Sequence, residues 1–294
     1  MESVHIPVLQ NEVAKFLDPK PNNDYVDCTI GEGGHAQAIL EKILPNGRLL
    51  GIDLTEELIE ALKLKFKDFK QNLVLVCDNF SNLKEIAEKH GFRNVSGVLF
   101  DLGLSSWHLE KSGKGFSFMR EEPLDMRYEG GVSAEEIVNG CSEEEIARIL
   151  KEFGEERFAR RIAKTIVEKR RVKPIKTTFQ LVDVVRSAVP LWYQKRRIHF
   201  ATKTFQALRI AVNGELENLK ETLPQAVDIL KTGGKIVVIS FHSLEDRIVK
   251  NFFRENSKNG KLKILTKKPV VPTIEEVRVN PRARSAKLRV AVKI

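Results

Sequence analysis

The feature that most constrains this chain is a glycine-rich turn between a short apolar strand and a helix, followed at a fixed distance by an acid. The turn occupies residues 31–34, after the apolar stretch 25–28, and apolar residues then recur at helical spacing over 36–44. A second strand ends on Asp53, and 53 − 31 = 22 positions separate that acid from the first glycine. Nucleotide-binding turns place the acid that holds the ribose hydroxyls about 20 residues further on. The pattern therefore predicts a pocket for an adenosine-containing cofactor.

The identity of that cofactor depends on the residues around the turn. Glycine tolerates positive φ and lets a ligand approach the backbone, and both NAD(P) and S-adenosylmethionine fit such a pocket. The turn lacks a third glycine, since Ala36 stands three positions after Gly33. Asp27, just before the turn, suits the ammonium group of a methionine moiety and repels a pyrophosphate. We therefore predict S-adenosylmethionine, and an NAD(P)-dependent oxidoreductase remains the alternative.

The order of strands predicts the fold. Four strands alternate with helices in the first third of the chain, and each ends at or just before an aspartate: Asp27, Asp53, Asp78 and Asp101. Open parallel sheets bind ligands at the carboxyl edge, so Asp101 should face the cofactor. A fifth strand follows at 235–240, and two edge strands follow at 262–265 and 288–292. We predict an α/β fold with the seven-stranded, mostly parallel, Rossmann-like sheet of class I methyltransferases.

The segment between the fourth and fifth strands has a different pattern. An irregular glycine-rich loop comes first, and the helical period then continues to the end of the segment. An acidic helix begins at Ser142, a basic helix spans 155–171, and a third helix begins near Thr177. We predict a helical insertion domain at 110–205 within a discontinuous methyltransferase domain made of 1–109 and 206–294.

Positive charge is concentrated in that insertion. The whole chain has a formal net charge of +9, whereas residues 157–209 contain fifteen Lys and Arg against two acids, a net charge of +13. Uneven charge of this kind favours a polyanionic partner. A solvated basic helix face is the alternative. Arg196 and Arg197, next to Lys195, are the candidates for contact with an RNA backbone.

Other compositional features exclude several classes of protein. The three cysteines, Cys28, Cys77 and Cys141, have neither metal-ligand spacing nor the even number of a disulfide framework. We therefore predict no metal site. The first twenty residues lack the pattern of an export signal, and no apolar run approaches the about 18 residues of a membrane span. The expected location is the cytoplasm, with no membrane partner.

Long sequence strings, in the right order, carry a resemblance to a known family. They comprise residues 5–9, 27–29, 31, 33–35, 101–103, 105–106, 115–118, 123–127, 154–157, 204–207, 240–247 and 280–285. On these strings the chain resembles, nearly end to end, the RsmH (MraW) family of small-subunit rRNA cytosine-N(4) methyltransferases. The departures are small: Phe200 and Lys203 replace the usual Pro and Arg after His199, and Glu32 stands where Arg is common.

The resemblance implies an activity and a set of site residues. The activity is S-adenosylmethionine-dependent methylation of the N(4) amine of a cytidine, and the partner is small-subunit ribosomal RNA or the assembled small subunit. Implied cofactor contacts are Gly33, Gly34, His35, Asp53, Phe80, Asp101 and His108. The predicted RNA-binding residues are Arg196, Arg197, His199 and Lys203. The pattern around Phe80 alone leaves an adenine contact and a core position equally open, and the oligomeric state is open too.

Asp101 is also the predicted catalytic residue. A cytosine amine is a poor nucleophile, because its lone pair is delocalised into the ring, and an acceptor for one of its N–H bonds would help to localise that pair. Many amino-methyltransferases use an Asp/Asn-Pro-Pro-Tyr string after the fourth strand, and Asp101 occupies the equivalent place here. A non-catalytic RNA-binding assembly protein remains the other alternative, although it gives the cofactor residues no purpose.

Overall fold

The computed structural model describes residues 6–294, and His5, part of the first resemblance string, lies outside that range. The chain forms two compact units. The first unit contains the residues up to Gly103 together with Leu216–Ile294, and the second is Leu104–Glu215. The second unit therefore begins 110 − 104 = 6 residues before the predicted insertion and ends 215 − 205 = 10 residues after it.

The secondary structure alternates in the first unit and is helical in the second. The strands are β1 Tyr25–Asp27, β2 Leu49–Asp53, β3 Leu73–Cys77, β4 Val95–Asp101, β5 Leu230–Ser240, β6 Leu262–Ile264 and β7 Lys287–Lys293. The helices are α1 Gln10–Leu17, α2 Gly34–Ile43, α3 Glu56–Lys65, α4 Leu83–Lys89, α5 Ser106–Glu110, α6 Ala134–Gly140, α7 Glu143–Gly154, α8 Ala159–Arg170, α9 Thr178–Ala188, α10 Leu191–Gln194, α11 Thr202–Asn213, α12 Glu215–Ile229, α13 Ser243–Lys258 and α14 Ile274–Val279. Within residues 6–294, no helix has the length and apolar character needed to cross a membrane.

The first unit is built on one seven-stranded sheet with the order β3-β2-β1-β4-β5-β7-β6. Every pairing from β3 across to β5 is parallel, and β7 runs antiparallel to both of its neighbours. The predicted seven-stranded, mostly parallel Rossmann-like sheet is confirmed. Strand order reverses between β1 and β4, and this is the switch point where open sheets of this kind bind their ligands.

Both faces of the sheet are covered, as expected for parallel strands. Side chains alternate along β4, so that Val98 and Phe100 belong to one buried cluster and Leu99 belongs to the other. Helices α4, α12 and α13 pack on the first face, while α1, α2 and α3 pack on the second. The strand ends are thus held by core packing on two sides, which fixes the side chains at the carboxyl edge.

The second unit is a helical bundle with its own apolar core. Two of its helices begin where the sequence pattern predicted, since Ser142 and Thr177 are N-caps whose side chains accept the N–H of the third helical residue. The basic helix predicted at 155–171 is shorter, because α8 begins at Ala159. Glu145 and Gln180 complete the two capping boxes. The predicted irregular loop lies between α5 and α6.

One acid lies within the core at the end of β1. Asp27 is 1% exposed, and its Oδ1 accepts the Thr29 backbone N–H at 3.1 Å. Burial raises the pKa of Asp27 from 3.8 to about 6, against the opposing attraction of His35. The nearby carboxylates of Asp101 and Asp53 contribute to that rise. The fold therefore places a carboxylate where its ionisation costs stability.

We predict that Asp27→Asn stabilises the protein in a pH-dependent way. The pKa of Asp27 is higher in the folded state than in the unfolded state. The stability that the Asp27 carboxyl contributes is therefore fully present below the unfolded-state pKa and is lost as pH rises through about 6. The variant avoids that loss, so its free energy of unfolding should exceed the wild-type value by about 3 kcal/mol at a pH of about 7.5 and by about 1 kcal/mol at a pH of about 4.5. Urea unfolding at the two pH values measures the difference, and a pH-independent difference would contradict the assignment.

Candidate active site

The aspartates at the strand ends meet at one edge of the sheet. Asp27, Asp53 and Asp101 are the last residues of β1, β2 and β4, and Asp78 directly follows β3. Strands β1 and β4 are paired neighbours, with Asp27 opposite Leu99. The acids predicted to face the cofactor therefore lie at the switch point of the sheet, on adjacent strands.

Asp53 fixes the glycine turn. Its Oδ2 accepts the Gly31 N–H at 3.0 Å, and its Oδ1 accepts the Thr55 N–H at 2.9 Å, which ties the turn to the start of α3. Burial raises the pKa of Asp53, and the hydrogen bonds from Thr55 and Gly31 oppose that rise. The Thr55 hydroxyl and the Leu54 N–H also lower the pKa of Asp53, so four donors within the protein already face this carboxylate. A ribose hydroxyl bound there would share the carboxylate with these groups, and the predicted ribose contact stays a prediction.

Backbone conformation and the protein's own packing both favour glycine in the turn. Gly31 and Gly33 have the positive φ values expected, 50° and 76°. A Cβ on Gly33 would lie 2.6 Å from the Phe66 ring, and a Cβ on Gly34 would lie 2.3 Å from Pro7. For Gly33 and Gly34 the structure thus adds a second reason, contact with neighbouring side chains, to the predicted close approach of a ligand.

His35 and Asp101 form the electrostatic centre of the site. His35, the second residue of α2, is 7% exposed, and its Nε2 lies 3.6 Å from Asp101 Oδ2, longer than a hydrogen bond. Burial opposes the charged imidazole, but the Asp101 and Asp27 carboxylates outweigh it and raise the pKa of His35. The sequence did not indicate this pairing, because 66 positions separate the two residues (101 − 35) and only the folded sheet brings them together.

Several buried polar atoms of this centre lack a hydrogen-bond partner among residues 6–294: both ring nitrogens of His35 and Oδ1 of Asp101. The Asp101 backbone is fixed, because its N–H donates to Thr29 Oγ1 at 2.6 Å. Buried polar atoms normally have partners, and exceptions are concentrated at functional sites. The charged, partly unpaired cluster at the start of α2 fits a ligand with both an ammonium and a carboxylate, since the helix N-terminus favours the anion.

Phe80, for which the sequence pattern left open a core position or an adenine contact, is a partly buried residue after β3. It begins the short turn Phe80–Asn82 after β3, and its ring meets Phe100 edge-on, with centroids 6.0 Å apart. The Asn79 side chain caps this turn by accepting the Ser81 N–H. Phe80 is only partly buried, so one part of the ring packs on the core and the rest remains accessible.

His108 belongs to the second unit and is described with it. Its Nδ1 lies 2.7 Å from Ser105 Oγ, at the start of α5. The surrounding rings are those of Trp107, Phe116 and Tyr128. Burial and, to a smaller extent, the charges of Lys114 and Arg209 together lower the pKa of His108 to about 4. His108 is therefore a neutral imidazole at physiological pH, suited to a hydrogen bond rather than an ion pair.

The four predicted RNA-binding residues differ in their surroundings. Arg196 and Arg197 are exposed in the segment after α10. His199 is half-buried and stacks on Phe118, with ring centroids 4.6 Å apart and an interplanar angle of 11°. Lys203 Nζ donates to the Glu155 carbonyl at 2.6 Å and so caps the end of α7. The geometry leaves the two arginines most available to a polyanion and gives Lys203 a structural contact.

Comparison with known proteins identifies the family. Residues 2–294 match the MraW methylase family. A protein named ribosomal RNA small subunit methyltransferase H from Thermotoga neapolitana is 51% identical over 292 residues, which cover 98% of this chain and 95% of that protein. Proteins of the same name are 50% identical in Thermosipho melanesiensis, with 99% and 98% covered, and 46% identical in Heliobacterium mobile, with 100% of both chains covered. The match spans the sheet, the insertion and every predicted site residue, and the chain belongs to the MraW methylase family.

Proposed function

We propose that this protein transfers a methyl group from S-adenosylmethionine to the N(4) amine of a cytidine in small-subunit ribosomal RNA. Its family and the names of its relatives support methyl transfer over the oxidoreductase and the non-catalytic alternatives. The observation that carries the proposal is the pairing of buried His35 with the partly exposed Asp101, beside the glycine turn at the switch point of the sheet. A cytoplasmic location is part of the same proposal.

Residues of the first unit would hold the cofactor. Asp53 accepts the ribose hydroxyls, and the backbone N–H groups at the start of α2 receive the carboxylate. Asp101 and Asp27 face the ammonium group, and the partly exposed Phe80 ring lies past β3 for the adenine. When bound, S-adenosylmethionine supplies a methyl group that its sulfonium charge has already activated. The protein's contribution is therefore mainly position and exclusion of water.

Asp101 is the proposed acceptor for the proton that methylation of an amine releases. Its Oδ1 is buried and has no hydrogen-bond partner among the described residues, so it can accept an N–H of the target amine. The His35 ring, whose pKa Asp101 raises, lies 3.6 Å from the other oxygen.

The second unit, which spans the predicted insertion 110–205, is proposed to hold the RNA. A base within a duplex cannot reach a buried carboxylate, so the target nucleotide must be unpaired or extruded. Arg196 and Arg197 would contact phosphates, which position a substrate without reading its sequence. The partner is the ribosomal RNA or the assembled small subunit.

Asp53→Ala should abolish detectable S-adenosylmethionine binding while the protein stays folded. The variant loses charge-assisted hydrogen bonds to the ribose, a loss of about thirtyfold to a hundredfold or more, and it also releases the Gly31 N–H that orders the turn. Calorimetric titration measures the affinity, and circular dichroism checks the fold. Near-native affinity in a folded variant would remove Asp53 from the site.

Asp101→Asn tests the reaction itself. Wild-type protein incubated with S-adenosylmethionine and small subunits should produce N(4)-methylcytidine, detected by mass spectrometry of digested RNA. The variant keeps its shape but is no longer a base, so turnover should fall far more than cofactor affinity. Equal losses in turnover and affinity would leave Asp101 only a cofactor contact, and absence of the modified nucleoside with wild-type protein would overturn the proposed function.

Replacing Arg196 and Arg197 with Ala should weaken RNA binding and leave cofactor affinity unchanged. Each lost phosphate contact should flatten the slope of log affinity against log salt by about 0.7 for a single strand. Fluorescence anisotropy at several salt concentrations measures the slope. An unchanged slope would mean that these charges only solvate the surface, and the RNA path would then be sought along Arg282 and Arg284.

A further inference from the structure

The second unit exposes one tryptophan in its most basic region. Trp192 in α10 is 53% exposed, whereas its neighbour Tyr193 is buried. The rings that the loop and α5 contribute, Trp107, Phe116 and Tyr128, pack instead around His108. A half-exposed indole forgoes the stabilisation that burial of so large a ring would bring.

Trp192 lies within a cluster of rings and guanidinium groups. The Phe158 and Tyr193 rings are 5.9 and 5.7 Å from it, both inclined steeply to the indole. The Arg157 guanidinium lies 5.6 Å from the Trp192 centroid and 5.8 Å from the Phe158 centroid. These distances are within the range of a cation–π interaction, so the Arg157 guanidinium lies beside the open indole.

A buried carboxylate fixes this cluster in place. Glu156 is 3% exposed, and both of its oxygens accept the Tyr193 hydroxyl, at 3.0 and 2.8 Å. Its Oε1 also accepts the Phe158 N–H at 2.9 Å, at the start of α8. Burial, and then the Glu156 charge, raise the pKa of Tyr193, so its hydroxyl stays protonated as the donor. Glu156 thus ties the start of α8, next to Arg157, to α10, which bears Trp192.

Exposed positive charge flanks the cluster along the chain on both sides. Arg160 and Arg161 lie in the first turn of α8, and residues 195–197 directly follow α10. Grooves for single-stranded nucleic acid combine cations that follow the backbone with aromatic rings on which bases stack. Charge complementarity therefore favours a nucleic-acid strand over an apolar protein segment at this surface.

We propose that Trp192 is a stacking platform for an unpaired base of the RNA substrate, with Arg157 as its cationic partner and Glu156 as the residue that positions both. This inference rests on the proposed function and extends it, because it names a base contact in the second unit in addition to the phosphate contacts of Arg196 and Arg197. Every base has a π face, so the platform accepts a flanking nucleotide whatever its identity.

The experiment measures binding of a short single-stranded RNA, and of the corresponding duplex, to the full-length protein and its variants. Trp192→Ala should weaken single-strand binding by about fivefold to a hundredfold, whereas Trp192→Phe should retain most of the affinity. Leu191→Ala is the matched control, since Leu191 is 71% exposed on the same helix. Arg157→Lys keeps the charge but loses the planar group, and we expect an intermediate loss.

Two further readouts separate stacking from charge and from misfolding. The salt slope should stay unchanged in Trp192→Ala, which removes no phosphate contact, while it flattens in the Arg196 and Arg197 variant. Single-stranded RNA should quench the fluorescence of wild-type protein more than that of Trp192→Phe, and the duplex should not. Thermal unfolding of the Trp192 variants should match that of the wild type.

The inference is overturned if Trp192→Ala binds the single strand as well as Leu191→Ala does. It is also overturned if only binding to assembled subunits falls while binding to RNA alone is unchanged, since that result assigns the surface to a protein partner. Failure of methyl transfer by the wild-type protein would refute the proposed function separately. The stacking experiment measures RNA binding and does not depend on methyl transfer.

Discussion

The structure of the first unit depends on how it tolerates three carboxylates at one edge of a sheet. Asp27, Asp53 and Asp101 end neighbouring strands, and their like charges repel one another in a buried environment. Backbone N–H groups neutralise part of that charge at Asp53, and the His35 imidazole neutralises part of it at Asp101. The glycine turn, the start of α2 and the end of β4 are therefore electrostatically coupled, and a change at one should alter the others.

The sequence was sufficient to predict the sheet and the edge where the acids meet. Strand period, turn residues and the spacing from Gly31 to Asp53 are properties of short sequence segments. The structure retains them, as the hydrogen bond from the Gly31 N–H to Asp53 shows. The tertiary contacts that explain individual residues could not be predicted from the sequence. Gly34 is required by Pro7, and His35 is paired with Asp101, because chain segments distant in sequence meet there. No pattern within one segment could indicate such contacts.

The second unit shows the same division between local and tertiary information. Capping residues such as Ser142 and Thr177 predicted where helices begin, and the charge of residues 157–209 indicated a polyanionic partner. Neither pattern distinguished Trp192, which is exposed, from the adjacent Tyr193, which is buried. That difference arises from the contacts of Glu156 and Phe158, just before α8, with Tyr193 in α10, and a buried acid is not recognisable from composition.

The pairing of β4 with β5 has a consequence for how the chain reaches its fold. Asp101 pairs with Ile239, so closing this central pair of strands encloses 138 residues (239 − 101). Loop-closure entropy grows with the logarithm of loop length, and the cost exceeds that of a crossover of about 15 residues by about 2 kcal/mol. A helical unit rich in local contacts forms quickly and brings its own two ends together. Because the second unit has its own apolar core, its folding before these strands pair would shorten the loop that the pairing of β4 with β5 has to close.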